Sequence, residues 1–216
     1  MDLVNRSPFA AERALVLDEA GAETLAVLLK ASFAWTPRTG LAPAAEQVPV
    51  RFADEHLGEP GRSSILRASD LCPGKPGCDL VLLGSAGRSR PPPQVHVSFR
   101  VGAWGRELRV FGERRWSGSA GVPDASPFEA LELTWENAFG GRDEDVPAGE
   151  PWEEELRNPV GRGFRARKSR RPVSGDLLPS IEDPADPVRS PLDRPAPAGF
   201  GFVARHWEPR RSRAGT

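Results

Sequence analysis

The chain has 216 residues, 29 of them basic and 30 acidic, with a formal net charge of −1 at neutral pH. Its 22 Gly and 23 Pro make up about a fifth of the residues, above the ordinary share of roughly 12% but short of a low-complexity tract. This excludes a self-repelling coil, a membrane span of ~18 apolar residues and, with two cysteines, a disulfide framework.

The apolar supply of 20 Leu, 2 Ile, 16 Val and 10 Phe promises a folded core with little to spare. No apolar run follows a basic start between Met1 and Glu12, so no signal peptide is expected and cytoplasmic synthesis is the plain reading. Tyrosine is absent, and only Lys30, Lys75 and Lys168 among the bases are lysines. Arginine stays charged and forks onto anions, whereas lysine can be tuned into a base, so the cationic chemistry points to recognition.

In chain order, Ala14 to Leu17 leads across a turn containing Gly21 into Thr24 to Trp35, where the odd positions are apolar. The even positions are polar or small except Leu28, which predicts a long hairpin. Gln47 to Phe52 alternates too, but Pro49 cannot donate to a ladder and places it at an edge. Leu80 to Leu83 is a short apolar run compatible with a strand buried on both faces. Val95 to Val101 alternates most cleanly, Gly102 to Arg106 turns the chain, and Leu108 to Phe111 returns as a second hairpin.

Ser126-Pro127-Phe128-Glu129 has the form of a helix-capping box, followed by Phe128, Leu131, Trp135 and Ala138 at near-helical spacing. Leu131, Leu133 and Trp135 also alternate, so a strand followed by one helical turn stands beside the helix. Beyond Gly141 periodicity fades. Seven acids lie between Asp143 and Leu156 without a base, then seven bases between Arg157 and Arg171 without an acid. Eight prolines follow from Pro172 to Pro209. The expectation is one domain, residues 1–119 a β-rich core and 120–216 a loop-rich surface wrap. The fold class is mainly β, with antiparallel sheets as a sandwich or barrel and little helix.

The chemical motifs thin out on inspection. There is no phosphate loop, dinucleotide fingerprint or nucleophile elbow. Cys72 and Cys78 bracket a Pro/Gly turn, but zinc takes about four ligands and no second pair exists. His96 shares a strand face with Ser98 and Arg100, which reads as polar surface; a hydrolase using it with a distant acid is the enzymatic alternative. Glu182 and Asp183 are adjacent, so in extended backbone their carboxylates diverge. The run 157–171 could hold nucleic acid through phosphates, yet the acidic run before it favours internal docking.

Several loop motifs fall in a fixed order. They are Asn5-Arg6-Ser7-Pro8-Phe9, the Asp70–Leu80 segment around the cysteines, Val110–Trp116, Trp135–Gly141, Asn158–Phe164, Leu178–Pro184, Pro197–Gly201 and Arg205–Arg210, closing on Ala214-Gly215-Thr216. In this order they resemble the bacterial domain of unknown function 2169 family, encoded beside type VI secretion spike and effector genes. The resemblance implies a non-enzymatic adaptor, or effector chaperone, that helps load an effector onto the spike (the valine-glycine-repeat protein or its tip). It implies no catalytic residues, no cofactor and no metal. Relatives often carry Pro where Glu132 stands, favouring strand plus turn, and continue past Ala-Gly-Thr, so the chain resembles a member lacking its C-terminal end. Arg and Trp are common at binding hot spots, making Trp152, Arg162 and Trp207 the candidate partner-binding residues.

Overall fold

Alternation becomes strand where it is longest. In the computed structural model, which describes residues 2–17, 20–72, 77–118 and 121–211, the first hairpin is β1 (Ala10–Leu17) against β2 (Glu23–Lys30). β3 (Phe33–Thr36) continues β2 after a break at Ala31 and Ser32, and pairs with β4 (Gly40–Pro43). The break has a local cause: Gln47 grips Ser32, accepting from its N–H at 2.8 Å and donating to its carbonyl at 3.1 Å. Asn5 starts the unit with an Asx turn, its Oδ1 accepting from the Ser7 N–H at 2.9 Å and its Nδ2 donating to the Phe9 carbonyl.

These elements belong to one of two compact units. Within the described residues the first holds 2–55 and 67–78, the second 56–66 and 79–211. Residues on both sides of 119/120 lie in the second unit. The inner side of the first hairpin is tied down by Asp70, whose Oδ2 accepts from Lys30 Nζ at 2.6 Å and from the Arg51 N–H at 2.7 Å. β5 (Glu55–His56) and β6 (Ile65–Arg67) form a short pair in which the unit boundaries fall.

The second unit is organised on β8 (Gln94–Val101) and β9 (Trp104–Phe111). Gly102 takes a left-handed φ of 59° at the start of their two-residue turn, tighter than the Gly102–Arg106 span expected. β15 (Ile181–Glu182) adds to the far edge of β9, so Val95, Val110 and Ile181 line up across three strands. β7 (Ser85–Gly87) pairs with β10 (Ala130–Glu132), β11 (Phe139–Gly140) runs parallel to β14 (Arg162–Gly163), and β12 (Arg142–Asp143) opposes β13 (Glu153–Glu154). The architecture is mainly β with several antiparallel sheets of two or three strands. Among the described residues the one α-helix is the short α1 (Glu208–Arg211), and no helix there is long and apolar enough to cross a membrane.

Four local expectations are corrected or resolved. Leu80 to Leu83 is not a doubly buried strand: it is irregular, and Leu80 and Leu83 are exposed. Gln47 to Phe52 makes no ladder, because its N–H groups go to side chains, Val48 to Ser32 Oγ and Arg51 to Asp70. The capping box does not nucleate a helix; Ala130–Glu132 is strand and Trp135–Asn137 a single 3₁₀ turn, the second of the two readings. Largest is the region after residue 119, expected as a surface wrap. Phe139, Phe164, Leu178, Ile181, Phe200 and Trp207 are all buried, so this region builds most of the core while staying largely irregular.

Candidate partner-binding surfaces

The loop motifs of the second unit turn inward and lock together. Asn158 is fully buried and its Nδ2 donates to the carbonyls of Trp135 and Phe139, both at 2.9 Å. The backbones can approach this closely only because glycines face the contact: a Cβ on Gly161 would sit 2.4 Å from Asn158 Nδ2 and 2.6 Å from the Ala138 carbonyl oxygen. Leu178–Pro184 joins next, with the Ser180 N–H donating to the Asn137 carbonyl and the Leu178 N–H to that of Arg114. Arg114 closes the circuit, donating to the Pro179 carbonyl at 2.5 Å and to Glu182 at 2.6 Å while stacking 3.8 Å from the Phe111 ring centre. Gly199 fits against the Trp135 indole, which meets Trp207 edge to face at 6.0 Å. Polar residues of the motifs thus hold loop backbone in place of hydration.

The two charge runs dock on each other. Lys168 reaches Glu150 at 2.6 Å, Arg171 reaches Asp143 at 3.3 Å, and Arg157 forks onto Glu155 through two bonds of 2.7 Å. Arg165 pairs with Asp176, and Arg162 donates to the Glu136 carbonyl and Asn137 Oδ1. Five of the seven bases are therefore engaged within the chain. Burial alone would raise the Asp143 carboxyl, but hydrogen bonds from Ser169 and from the Ala166 and Asp145 N–H groups, with the Arg171 charge, hold it below the usual range. Glu155 is likewise lowered: burial opposes its charge, and the Arg157 fork outweighs burial.

The three candidates from sequence have different surroundings. Trp207 is 1% exposed and packs in the interior, so its indole serves the core and is not presented to a partner. Arg162 is half-buried and bound to the Trp135–Asn137 turn, and burial lowers its pKa. Trp152 is 51% exposed, with the Arg142 guanidinium 5.5 Å from its ring centre, and it alone faces solvent. His96 is exposed and lies against Gln94 at 2.8 Å. Cys72 is half-buried and Cys78 exposed, while Pro73–Pro76 between them, like Ala214–Thr216, lie outside the described residues. No group of three or more His, Cys, Asp or Glu among the described residues is placed to hold a metal.

The surface that sequence reasoning missed lies in the first unit. Every odd position from Leu25 to Trp35 is exposed, whereas the even positions 26 to 32 are half-buried. Leu15 and Leu17 on β1 and Leu41 on β4 share the exposure, with Leu15 at 71% and Trp35 at 68%. The more apolar side of the hairpin faces outward. The available signal was Leu28, the apolar exception at an even position: both faces of this strand carry apolar groups, and alternation alone did not say which would be covered. Contiguous apolar patches beyond a few hundred Å² are rare on free monomers and mark interaction sites.

These features define a mainly β protein whose second-unit motifs build the interior of that unit and whose first hairpin leaves its more apolar face exposed. The chain belongs to the family described as an uncharacterized protein conserved in bacteria, domain of unknown function 2169, which matches residues 20–216. No curated protein and no solved structure matches the chain.

Proposed function

We propose that this protein is a non-enzymatic adaptor, or effector chaperone, that helps load a type VI secretion effector onto the spike. The observation that carries the reading is the outward apolar face of the first unit. At its β3–β4 end Trp35, Phe33 and Leu41 lie together, since the register pairs Trp35 with Leu41. A large aromatic flanked by apolar neighbours is the composition of a binding hot spot. Covering it with an apolar segment of the effector stabilises both partners by removing that surface from water. The secretion context rests on the ordered motifs and the family resemblance they carry.

The docked charge runs favour this reading over nucleic-acid binding through residues 157–171, because bases already paired release few counterions on meeting phosphate. The test is co-purification of the tagged chain with the effector and spike proteins encoded beside it. Capture that is lost in Trp35→Ser supports the proposal. Failure to capture any neighbour, under conditions where established adaptors succeed, rejects it.

A further inference from the structure

The β1–β2 end of the same face carries a charge pattern of its own. The register sets Arg13 opposite Val27, Leu15 opposite Leu25 and Leu17 opposite Glu23 on the outward side. Arg13 and Glu23 therefore flank the Leu15–Leu25 pair, one rung to either side and on opposite strands, each displaced by about 7 Å along the strands. A face with opposite charges placed this way about an apolar centre is complementary to itself.

The geometry of stacking makes this concrete. Two sheets pack face to face about 10 Å apart. Let a two-fold axis cross the strands at the Leu15–Leu25 rung. Each Leu15 then lies over its counterpart, each Leu25 likewise, and Arg13 of either copy stands diagonal to Glu23 of the other, within reach of both long side chains. The interface is isologous and closes as a dimer. An axis along the strands instead places Arg13 over Val27 and leaves the charges two rungs apart, about 14 Å. Only the first arrangement satisfies both charges twice.

The groups are available for it. Among the described residues Arg13 pairs with Asp2, at 3.5 Å, a fully exposed carboxylate whose exchange costs little. Glu23 makes no ion pair among the described residues, and Leu15, Leu17, Leu25, Val27 and Leu29 are exposed. Side chains of this number and exposure present on the order of 500 Å² per copy, so a dimer buries about 1,000 Å², the lower bound for a specific interface.

We infer that a second copy of this chain covers the β1–β2 face, forming a reversible two-fold dimer centred on Leu15 and Leu25 and keyed by reciprocal Arg13–Glu23 pairs. The inference shares this face with the adaptor reading but rests on its β1–β2 end and the Arg13–Glu23 pattern, whereas the adaptor reading centres on Trp35 at the β3–β4 end. Sedimentation velocity on the full chain, from about 1 to 200 µM, tests it, with a monomer–dimer midpoint expected in the micromolar range. Arg13→Glu or Glu23→Arg raises the dissociation constant at least about tenfold, because each turns both pairs into like-charge contacts. The double variant R13E/E23R restores dimerisation to within about threefold, since it only exchanges the partners. Both positions are exposed and polar, so the variants retain the fold, which circular dichroism checks. Monomer at every concentration overturns the inference, as does a double variant no better than the singles. Effector capture by monomeric R13E separates the two proposals: it can succeed or fail without altering the sedimentation result.

Discussion

Arg114 donates to Glu182 at 2.6 Å with both side chains almost wholly buried, and the pair joins the loop after β9 to β15. Removing one partner strands the other charge away from water. Arg114→Met or Glu182→Gln is therefore expected to destabilise the second unit by about 3–5 kcal/mol, read as a lowered urea midpoint. The double variant R114M/E182L loses less than the sum, because no charge is left unpaired.

Gly161 and Gly21 separate crowding from backbone strain. Gly161 needs space: an added Cβ meets Asn158 Nδ2, the Ala138 carbonyl and Gly140 Cα, all under 3 Å. Gly21 needs only its left-handed φ of 79°, with nothing within 4 Å of the added carbon. Gly21→Ala should cost about 1–2 kcal/mol, and Gly161→Ala substantially more, because it forces the Trp135–Gly141 and Asn158–Phe164 motifs apart. Parallel denaturation curves giving equal losses would refute the interlocking described above.

Acid stability should track Asp143 and Glu155. Both carboxyls are lowered in the folded chain, so the stability they contribute is fully present above their unfolded values, about 3.9 and 4.3. It is lost as pH falls from there through the lower folded values. The wild-type melting temperature is expected to fall steeply below about pH 4. Asp143→Asn and Glu155→Gln lower it at pH 7 and flatten the acid limb. An acid limb of unchanged slope in both variants would contradict the assignment.

The tryptophans offer a control on burial. Trp207→Ala removes the ring that meets Trp135 and should cost about 3–5 kcal/mol. Trp152→Ala leaves stability within about 1 kcal/mol, since half of the side chain already faces water. Matching losses from both would mean that Trp152 is core.

How much of this was legible before folding varies with the range of the interaction. The hairpins about Gly21 and Gly102 follow from alternation and a glycine turn, a local signal that the structure bears out up to Lys30 in the first and through Phe111 in the second, while Phe33–Thr36 pairs with β4 instead. Leu80 to Leu83 misled because a short apolar run carries no information on what will cover it. Residues 121–211 misled for a deeper reason. Prolines and glycines suppress periodicity, yet Phe164, Leu178 and Trp207 are buried without any, each through a contact with a distant loop.

The candidate surfaces show the same division. Arginine and tryptophan type alone proposed Trp152, Arg162 and Trp207, and residue type cannot separate a ring in the interior from one in solvent. The sequence by itself determined the β class, the existence of the two hairpins, and the ordered Gly- and Pro-containing motifs. Those properties are set by backbone sterics within a few residues. Only the tertiary structure decided that the motifs of the second unit face inward and that the more apolar side of the first hairpin faces out. Burial depends on which segments meet, and in the second unit Asn158, Arg114 and Asp143 hold together loops that are far apart in the chain.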